Sequence, residues 1–319
     1  MSAAWAPVFE AGVAALIGLF VGSFLNVCID RIPEGRSLLW PPSHCQGCGA
    51  AIATYDLVPV LNYLWLRGRC RACGVRISWR MPLVEVAAGL GCAAALAAWG
   101  LSIEAAVAAA YICLGIVLFV IDLERHIIPN VIVYPVLLAS IALAPWLPAR
   151  GFIGAIVGAI VGFGVLLLIF LLPMSLVSRV GHGVAWVVAR LPGQRPAPDA
   201  TSPVLKPSSI AVGNLDGESR AGAAWRSDPA AAEVAGLGGM GGGDVKLAAV
   251  VGAITGWPGV VTALYFSFLI GGGVAGLLVV LRVRRLKEYI PFGPALILGC
   301  AVAALWGERI MRWYLGGGS

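Results

Sequence analysis

Two aspartates stand at the edges of apolar segments, where a charged side chain is costly. Asp122 closes one apolar run, and Asp244 opens another directly after a run of glycines. Ionisable residues at such places in a membrane protein are candidates for function. Two carboxylates that meet in a poorly solvated site share one proton and titrate as a coupled pair. One of them can then take a proton from water that attacks a peptide carbonyl, while the protonated partner donates to the oxyanion or leaving amine.

Glycines and charged residues flank these aspartates. Gly241 and Gly243 precede Asp244, and Lys246 follows it; the glycines would let the backbone of an extended substrate approach closely, or they would serve as a small-residue helix contact. Glu124 lies two residues after Asp122, and we assign it a supporting role. A third carboxylate near an apolar edge, Glu85, is interpreted as an ion-paired residue close to Arg80.

Four cysteines form a separate candidate metal site. Cys45 and Cys48 make one C-x-x-C-G knuckle, and Cys70 and Cys73 make a second one after 21 intervening residues. Four thiolates in this pattern provide a tetrahedral shell for zinc, and a shell without an open position indicates a structural ion. Two disulfides, or free thiols without a role, are the alternatives, and a cytoplasmic location disfavours the disulfides. The remaining four cysteines lie in or beside apolar segments, where packing is the expected role.

The composition is that of a membrane protein. Of the 319 residues, 60% are hydrophobic and only 12% are charged. A helix needs about 20 apolar residues to cross the bilayer. The sequence predicts an all-α polytopic membrane protein with about eight transmembrane helices and a small cytoplasmic zinc-ribbon-like module. The predicted spans are approximately 8–27, 82–99, 103–122, 131–148, 151–173, 244–257, 259–281 and 291–307.

The positions of the basic residues predict the orientation. Nearly all of the 22 Lys and Arg residues fall in alternate connections between spans, and basic loops stay in the cytoplasm. We therefore expect both termini on the periplasmic side and both aspartates at the cytoplasmic face. The same topology explains the net charge of +6, so no nucleic-acid partner is expected.

The predicted organisation has five parts. Residues 1–27 hold the first span, 28–80 the four-cysteine module, 81–173 spans two to five with Asp122, and 239–319 spans six to eight with the glycine run and Asp244. Residues 174–238 are rich in Pro, Ala, Ser and Gly and are interpreted as a flexible cytoplasmic insert. Glycine-rich spans pack within one molecule or between two, so the sequence leaves the oligomeric state open.

Several motifs in this order resemble those of bacterial prepilin peptidases, the membrane aspartic proteases with a Gly-x-Gly-Asp motif. The matching strings are Gly22-Ser23-Phe24-Leu25-Asn26-Val27 with Arg31-Ile32-Pro33, the two cysteine knuckles, Asp122 with Ile128-Pro129-Asn130, and Gly241-Gly242-Gly243-Asp244 with Lys246-Leu247. The resemblance covers nearly everything except the insert. Two features depart from the family pattern: Glu124 stands where many relatives have aspartate, and the insert is unusually long.

The resemblance implies an inner-membrane enzyme with Asp122 and Asp244 as its catalytic pair. Its substrates would be precursors of type IV pilins or type II secretion pseudopilins, from which it cleaves a short basic leader after a glycine. The resemblance also implies methylation of the new N-terminal amine with S-adenosylmethionine, since relatives with the cysteine-bearing domain commonly do this. Partners are then the precursor proteins and the lipid bilayer.

Two other classes of protein fit parts of the sequence. A secondary transporter would use Asp122, Asp244 and Glu85 as a proton or cation relay, but a relay belongs near the bilayer midplane and both aspartates are predicted at one face. A non-enzymatic assembly scaffold would leave the paired aspartates without a purpose. His44, His126 and His182 predict no triad with a serine or cysteine nucleophile.

Overall fold

Helices make up the regular structure of this protein. The computed structural model describes residues 6–45, 47–52, 56, 58–146, 151–188, 242–281 and 291–314. Throughout these ranges no β-strand forms, and the extended pairing consists of two isolated bridges, His44 with Ala51 and Arg69 with Arg76. The prediction of an all-α fold is confirmed for this part of the chain.

Nine α-helices are numbered here in chain order within the described ranges. They are α1 (Ala6–Arg31), α2 (Leu61–Trp65), α3 (Arg80–Trp99), α4 (Ile103–Arg125), α5 (Asn130–Leu143), α6 (Phe152–Val188), α7 (Gly242–Thr255), α8 (Gly259–Val280) and α9 (Gly293–Tyr314). Short 3-10 turns extend α1 and α5 over Ile32–Glu34 and Ala144–Trp146. Each of the predicted spans coincides with one of these helices, and the sequence did not predict α2.

Five helical segments are long and apolar enough to cross a membrane: Val8–Glu34, Arg80–Trp99, Ile103–Arg125, Phe152–Leu171 and Gly259–Leu278. Asn130–Trp146 and Gly293–Gly307 are apolar but shorter, and α7 has 14 residues. A helix of 14 residues is about 21 Å long at 1.5 Å per residue, which is less than the hydrocarbon core. The chain is therefore a membrane protein with five helices of spanning length in its described part.

The chain divides into two compact units, one comprising 1–166 and 240–319 and the other 167–239. Helix α6 continues to Val188, well past the predicted end of the fifth span at residue 173. The sequence there keeps enough apolar residues, mainly Val with Leu176, Ala185 and Trp186, to extend the apolar helix beyond Pro173. Residues 189–238 of the predicted insert lie outside the described residues. The predicted domain boundaries stay predictions.

Small residues set how closely the helices pack in the first unit. Gly18 and Gly22 of α1 lie against the α3 backbone, so that a Cβ at Gly22 would be 2.6 Å from Cα of Glu85. On α6, a Cβ at Gly158 would lie 3.0 Å from the carbonyl carbons of Gly252 and Gly256. Helices in a membrane associate through such close backbone approaches because lipid offers no hydrophobic gain. The contact with α6 fixes α7, which carries Asp244.

Helix α4, which carries Asp122, has a defined beginning and end. The Ser102 hydroxyl accepts a hydrogen bond from the Ala105 amide at 3.2 Å and caps the N-terminus. At the other end His126 adopts a left-handed conformation, with φ of 58°, and its amide bonds to the Asp122 carbonyl. Pro129 disfavours a helical conformation for the residue before it, so a short loop separates α4 from α5.

The close contact between α6 and α7 makes a prediction about stability. Gly158→Ala should destabilise the protein by about 1–3 kcal/mol, because its methyl group would collide with rigid backbone. Gly164→Ala is the matched control on the same helix, where a Cβ would meet nothing within 4 Å. The melting temperatures of the two detergent-solubilised variants are compared. Size-exclusion chromatography after heating measures the fraction that remains folded. Equal melting temperatures would contradict the role given to this contact.

Candidate active site and metal centre

Asp122 lies in the last turn of α4 and is almost entirely buried, with 2% of its surface exposed. Its Oδ2 atom has no hydrogen-bond partner among the described residues. An ionised carboxylate in such an environment is costly unless hydrogen bonds or charges compensate it. Burial of this kind is typical of a side chain retained for chemistry.

Asp244 is the third residue of α7 and is 1% exposed. The first turn of a helix carries unpaired backbone N–H groups and a partial positive charge, which stabilise a carboxylate. Gly243, directly before Asp244, packs against Ile128, whose Cβ would lie 3.0 Å from a Cβ at that glycine. Gly241 lies outside the described residues.

Contacts bring the chain around the two aspartates together. Ile128, which meets Gly243, belongs to the short loop that follows Asp122. Helix α9 packs against both α4 and α7. Its first residue, Gly293, lies directly against Asp122: its backbone N–H interacts with the carboxyl group, and an added Cβ would be 2.5 Å from Oδ2. The end of α4 with the loop after it, the start of α7 and the start of α9 therefore lie close to one another.

Lys246 and Glu124 make different contacts. The Lys246 ammonium donates to Asn130 Oδ1 at 3.1 Å and lies 5.7 Å from the centre of the Tyr134 ring, so it ties α7 to α5. Glu124 pairs with Arg80 at 3.1 Å, and Arg80 also pairs with Asp30 at 2.7 Å. Glu124 therefore belongs to an ion network joining α1, α3 and α4.

The structure gives Glu85 a different partner from the predicted one. Its Oε2 atom accepts a hydrogen bond from the Val60 amide at 2.8 Å, and the Ser23 side chain bonds to it as well. Arg80 is instead occupied by Asp30 and Glu124. The interpretation of Glu85 as an ion partner of Arg80 is wrong, because residues five positions apart on a helix do not share a face.

The four predicted cysteines do converge. The Sγ atoms of Cys45, Cys48, Cys70 and Cys73 all lie within 4.8 Å of one another. Both knuckles fold in the same way. The Gly49 amide donates a hydrogen bond to the Cys45 carbonyl at 2.8 Å, and the Gly74 amide donates one to the Cys70 carbonyl at 2.9 Å. Gly49 and Gly74 have φ of 72° and 71°, a left-handed conformation that glycine adopts without strain.

The geometry and electrostatics of this cluster suit a metal ion. A tetrahedral ion with metal–sulfur bonds of about 2.3 Å requires sulfur atoms about 3.8 Å apart, and the Sγ atoms of Cys45 and Cys73 are separated by 3.8 Å. The backbone N–H groups of Cys48 and Gly47 lower the pKa of the Cys45 thiol to about 6. The Val75 backbone N–H lowers the pKa of Cys73, but hydrogen bonds to the other cysteines outweigh it and raise that pKa to about 11. A thiolate is the form that binds metals, so Cys45 offers one ligand at neutral pH, and binding of an ion would release the proton of Cys73.

Gly293 was missed by the sequence analysis, as was the Arg80 network. The string Pro291-Phe292-Gly293-Pro294 offered a signal, because a glycine between prolines at the start of a helix indicates a constrained backbone. Gly293 and Asp122 are more than 170 residues apart in the sequence, and no local pattern predicts a contact over such a separation.

Two family models match the chain. Residues 16–99 match the Bacterial Peptidase A24 N-terminal domain, and residues 109–276 match the Type IV leader peptidase family. The second match alone covers more than half of the chain. The chain belongs to the type IV leader peptidase family.

Individual relatives carry one name, prepilin leader peptidase/N-methyltransferase. The Pseudomonas putida protein is 32% identical over 95% of this chain and 93% of its own length. The Bacillus subtilis protein is 28% identical over 94% of this chain and 96% of its own. A Myxococcus xanthus protein is 45% identical, over 46% of this chain, and the chain covers 44% of its length. No solved structure matches the chain significantly.

The cysteine geometry predicts metal binding that depends on all four thiols. Cys73→Ser should remove most of the bound metal, since a hydroxyl is a poor fourth ligand for a soft site. Cys300→Ser, a change outside the cluster, is the control and should retain it. Mass-spectrometric metal analysis of the purified proteins measures the content. Equal metal content in the two variants would contradict a four-thiolate site.

Proposed function

We propose that this protein is a prepilin leader peptidase that removes the basic leader of type IV prepilins or type II secretion pseudopilins after a glycine. The observation that carries the proposal is the burial of Asp122 and Asp244, at 2% and 1% exposure, in a chain of the leader peptidase family. The names of its relatives support the substrate class. Membership of a peptidase family also argues against the secondary-transporter alternative.

Cleavage would proceed by general acid–base chemistry on water. One carboxylate takes a proton as water attacks the carbonyl carbon of the scissile peptide, and the protonated partner donates to the oxyanion. The proton then passes to the amine as the C–N bond breaks, which leaves a carboxylic acid and a free amine. Contacts of Gly243 with Ile128 and of Gly293 with Asp122 support a shared site for the two aspartates.

Their places on helices suggest a division of roles. Asp244 lies at the N-terminus of α7, where the helix dipole favours a negative charge, whereas Asp122 lies at the C-terminal end of α4, where it does not. We assign Asp244 as the base that receives the proton of water and Asp122 as the acid. Gly243 and Gly241 would give the substrate backbone room, with Lys246 and Glu124 holding the surrounding helices.

A second activity follows from the names of the relatives, which include N-methyltransferase. The protein would methylate the amine that cleavage exposes, with S-adenosylmethionine as the methyl donor. Incubation of cleaved pilin with donor carrying a labelled methyl group should transfer the label to the N-terminal residue. Absence of label on fully cleaved pilin would contradict this activity and leave the peptidase untouched.

The metal in the cysteine cluster is proposed to be zinc with a structural role. Four thiolates favour zinc, and a closed shell leaves no position for a reacting water. The cluster would hold the chain between Cys45 and Cys73 folded, in a segment too small to bury a large core. The same metal analysis decides its identity, with about one zinc per chain expected.

The location and layout remain part of the proposal. The protein would lie in the bacterial inner membrane with eight spans, periplasmic termini and an active site at the cytoplasmic face. The parts would be 1–27, 28–80, 81–173, 174–238 and 239–319, as the sequence predicts. The positive-inside distribution of Lys and Arg supports this orientation.

Removing either carboxylate should abolish cleavage. Asp122→Asn and Asp244→Asn should each lower the rate of prepilin cleavage about 10²- to 10⁴-fold, the usual contribution of a general acid or base. Glu104→Gln, at the opposite end of the same helix as Asp122, is the matched control and should cleave normally. The assay follows prepilin by electrophoresis with detergent-solubilised enzyme. An Asn variant with full activity would remove that aspartate from the mechanism.

Gly293 should be sensitive to the smallest enlargement. Gly293→Ala places a methyl group against Oδ2 of Asp122, and displacement of a catalytic group by about 1 Å can cost about 10²-fold in rate. Gly272→Ala, where a Cβ would meet nothing within 4 Å, is the control. Cleavage rates are measured in variants with the same melting temperature as the wild type. If Gly293→Ala cleaves as fast as its control, the contact with Asp122 does not position that carboxylate.

A further inference from the structure

Helix α2 turns its apolar side chains away from the protein. Leu61, Leu64 and Trp65 are 66%, 65% and 82% exposed, and they share one face because they are three and four residues apart. Asn62 and Tyr63 face the other way and are partly buried, with the Asn62 amide donating to the Asp56 carbonyl at 2.7 Å. This pattern is the reverse of that of a helix on the surface of a water-soluble domain.

The depth of α2 is fixed by Glu85. Its carboxylate accepts the Val60 amide at 2.8 Å, immediately before α2 begins. Glu85 lies five residues into the membrane-spanning helix α3, which is about 7.5 Å along the helix axis. The charged network of Arg80 with Asp30 lies at the beginning of α3, so the start of α2 is held on the apolar side of that network.

A second exposed apolar group lies beside the end of α1. Leu39 and Trp40 are 87% and 76% exposed. The buried side chain of Arg31, the last residue of α1, donates to the carbonyl groups of Ser37 at 2.9 Å and Pro41 at 2.6 Å. These bonds hold the loop that carries Leu39 and Trp40 close to the end of a membrane-spanning helix.

We propose that the exposed face of α2, formed by Leu61, Leu64 and Trp65, lies in the lipid bilayer at its interface with water. Leu83 of α3, two residues before the Glu85 that bonds to Val60, is also exposed, at 56%. Tryptophan favours this depth because its ring is apolar and its N–H group bonds to water or headgroups. The exposed Arg67 and Arg69 follow α2 directly, and such side chains extend to lipid headgroups. The segment that carries the cysteine cluster is thereby anchored to the membrane at its middle as well as at its two ends.

Quenching by brominated lipid tests the proposal on the whole protein. The wild type and Trp65→Phe are placed in nanodiscs of phosphatidylcholine with or without bromine atoms near the headgroup end of the acyl chains. The difference between the two proteins isolates the fluorescence of Trp65. Bromine should reduce this signal more than about twofold, and aqueous iodide should have little effect on it. Trp306→Phe, in the apolar part of α9, gives the reference for a lipid-exposed tryptophan.

Two results would overturn the proposal. A Trp65 signal that iodide quenches and bromine does not would place the face in water. A Trp65 signal that changes only on addition of a prepilin leader peptide, with no effect of bromine, would make the face a protein-binding surface. Metal content equal to that of the wild type shows that Trp65→Phe is folded around the cysteine cluster, so either result reports on the face itself.

Discussion

The burial of two carboxylates is the constraint on which the rest of this structure depends. Asp122 and Asp244 are almost completely removed from solvent, and moving an ionised group out of water costs several kcal/mol even after relaxation of the protein. Their positions reduce this cost unequally, since only Asp244 lies where a helix dipole favours its charge. As the proposed catalytic pair, the two would hold one proton between them, which avoids a second buried charge and is also the state that acid–base chemistry on water requires.

The surrounding helices keep that arrangement rigid. Glycine contacts between α6 and α7 and between α1 and α3 bring backbones together without side chains between them. Arg80 links three helices through Asp30 and Glu124 and is itself 14% exposed. Partly buried charge pairs are costly to break by removal of one partner, so the network resists separation of the helix ends. The cysteine cluster organises the chain between α1 and α3 by local knuckles and needs no large core.

Local patterns in the sequence identified candidate residues better than the contacts around them. Asp122, Asp244 and the paired cysteines became candidates because their types and spacing carry meaning within a few residues, and the structure confirms that the four cysteines converge. The spacing of the knuckles even predicted a cluster whose halves lie 21 residues apart. Gly293 against Asp122, Lys246 on Asn130 and Glu85 on Val60 were not found, because each depends on how distant helices pack. Apolar length predicted a helix at eight positions, with α7 as the short one, and missed α2, whose five residues are too few to show a periodic pattern.

The central claim is that Asp122 and Asp244 act as one catalytic unit, and a double-mutant cycle tests it most directly. Cleavage of prepilin is measured for Asp122→Asn, Asp244→Asn and the double variant under single-turnover conditions. Groups that act together give strongly non-additive losses. The account predicts that the double variant is no slower than the slower single variant. Losses that multiply, with each single variant keeping the contribution of the other aspartate, would show two independent residues and contradict the dyad.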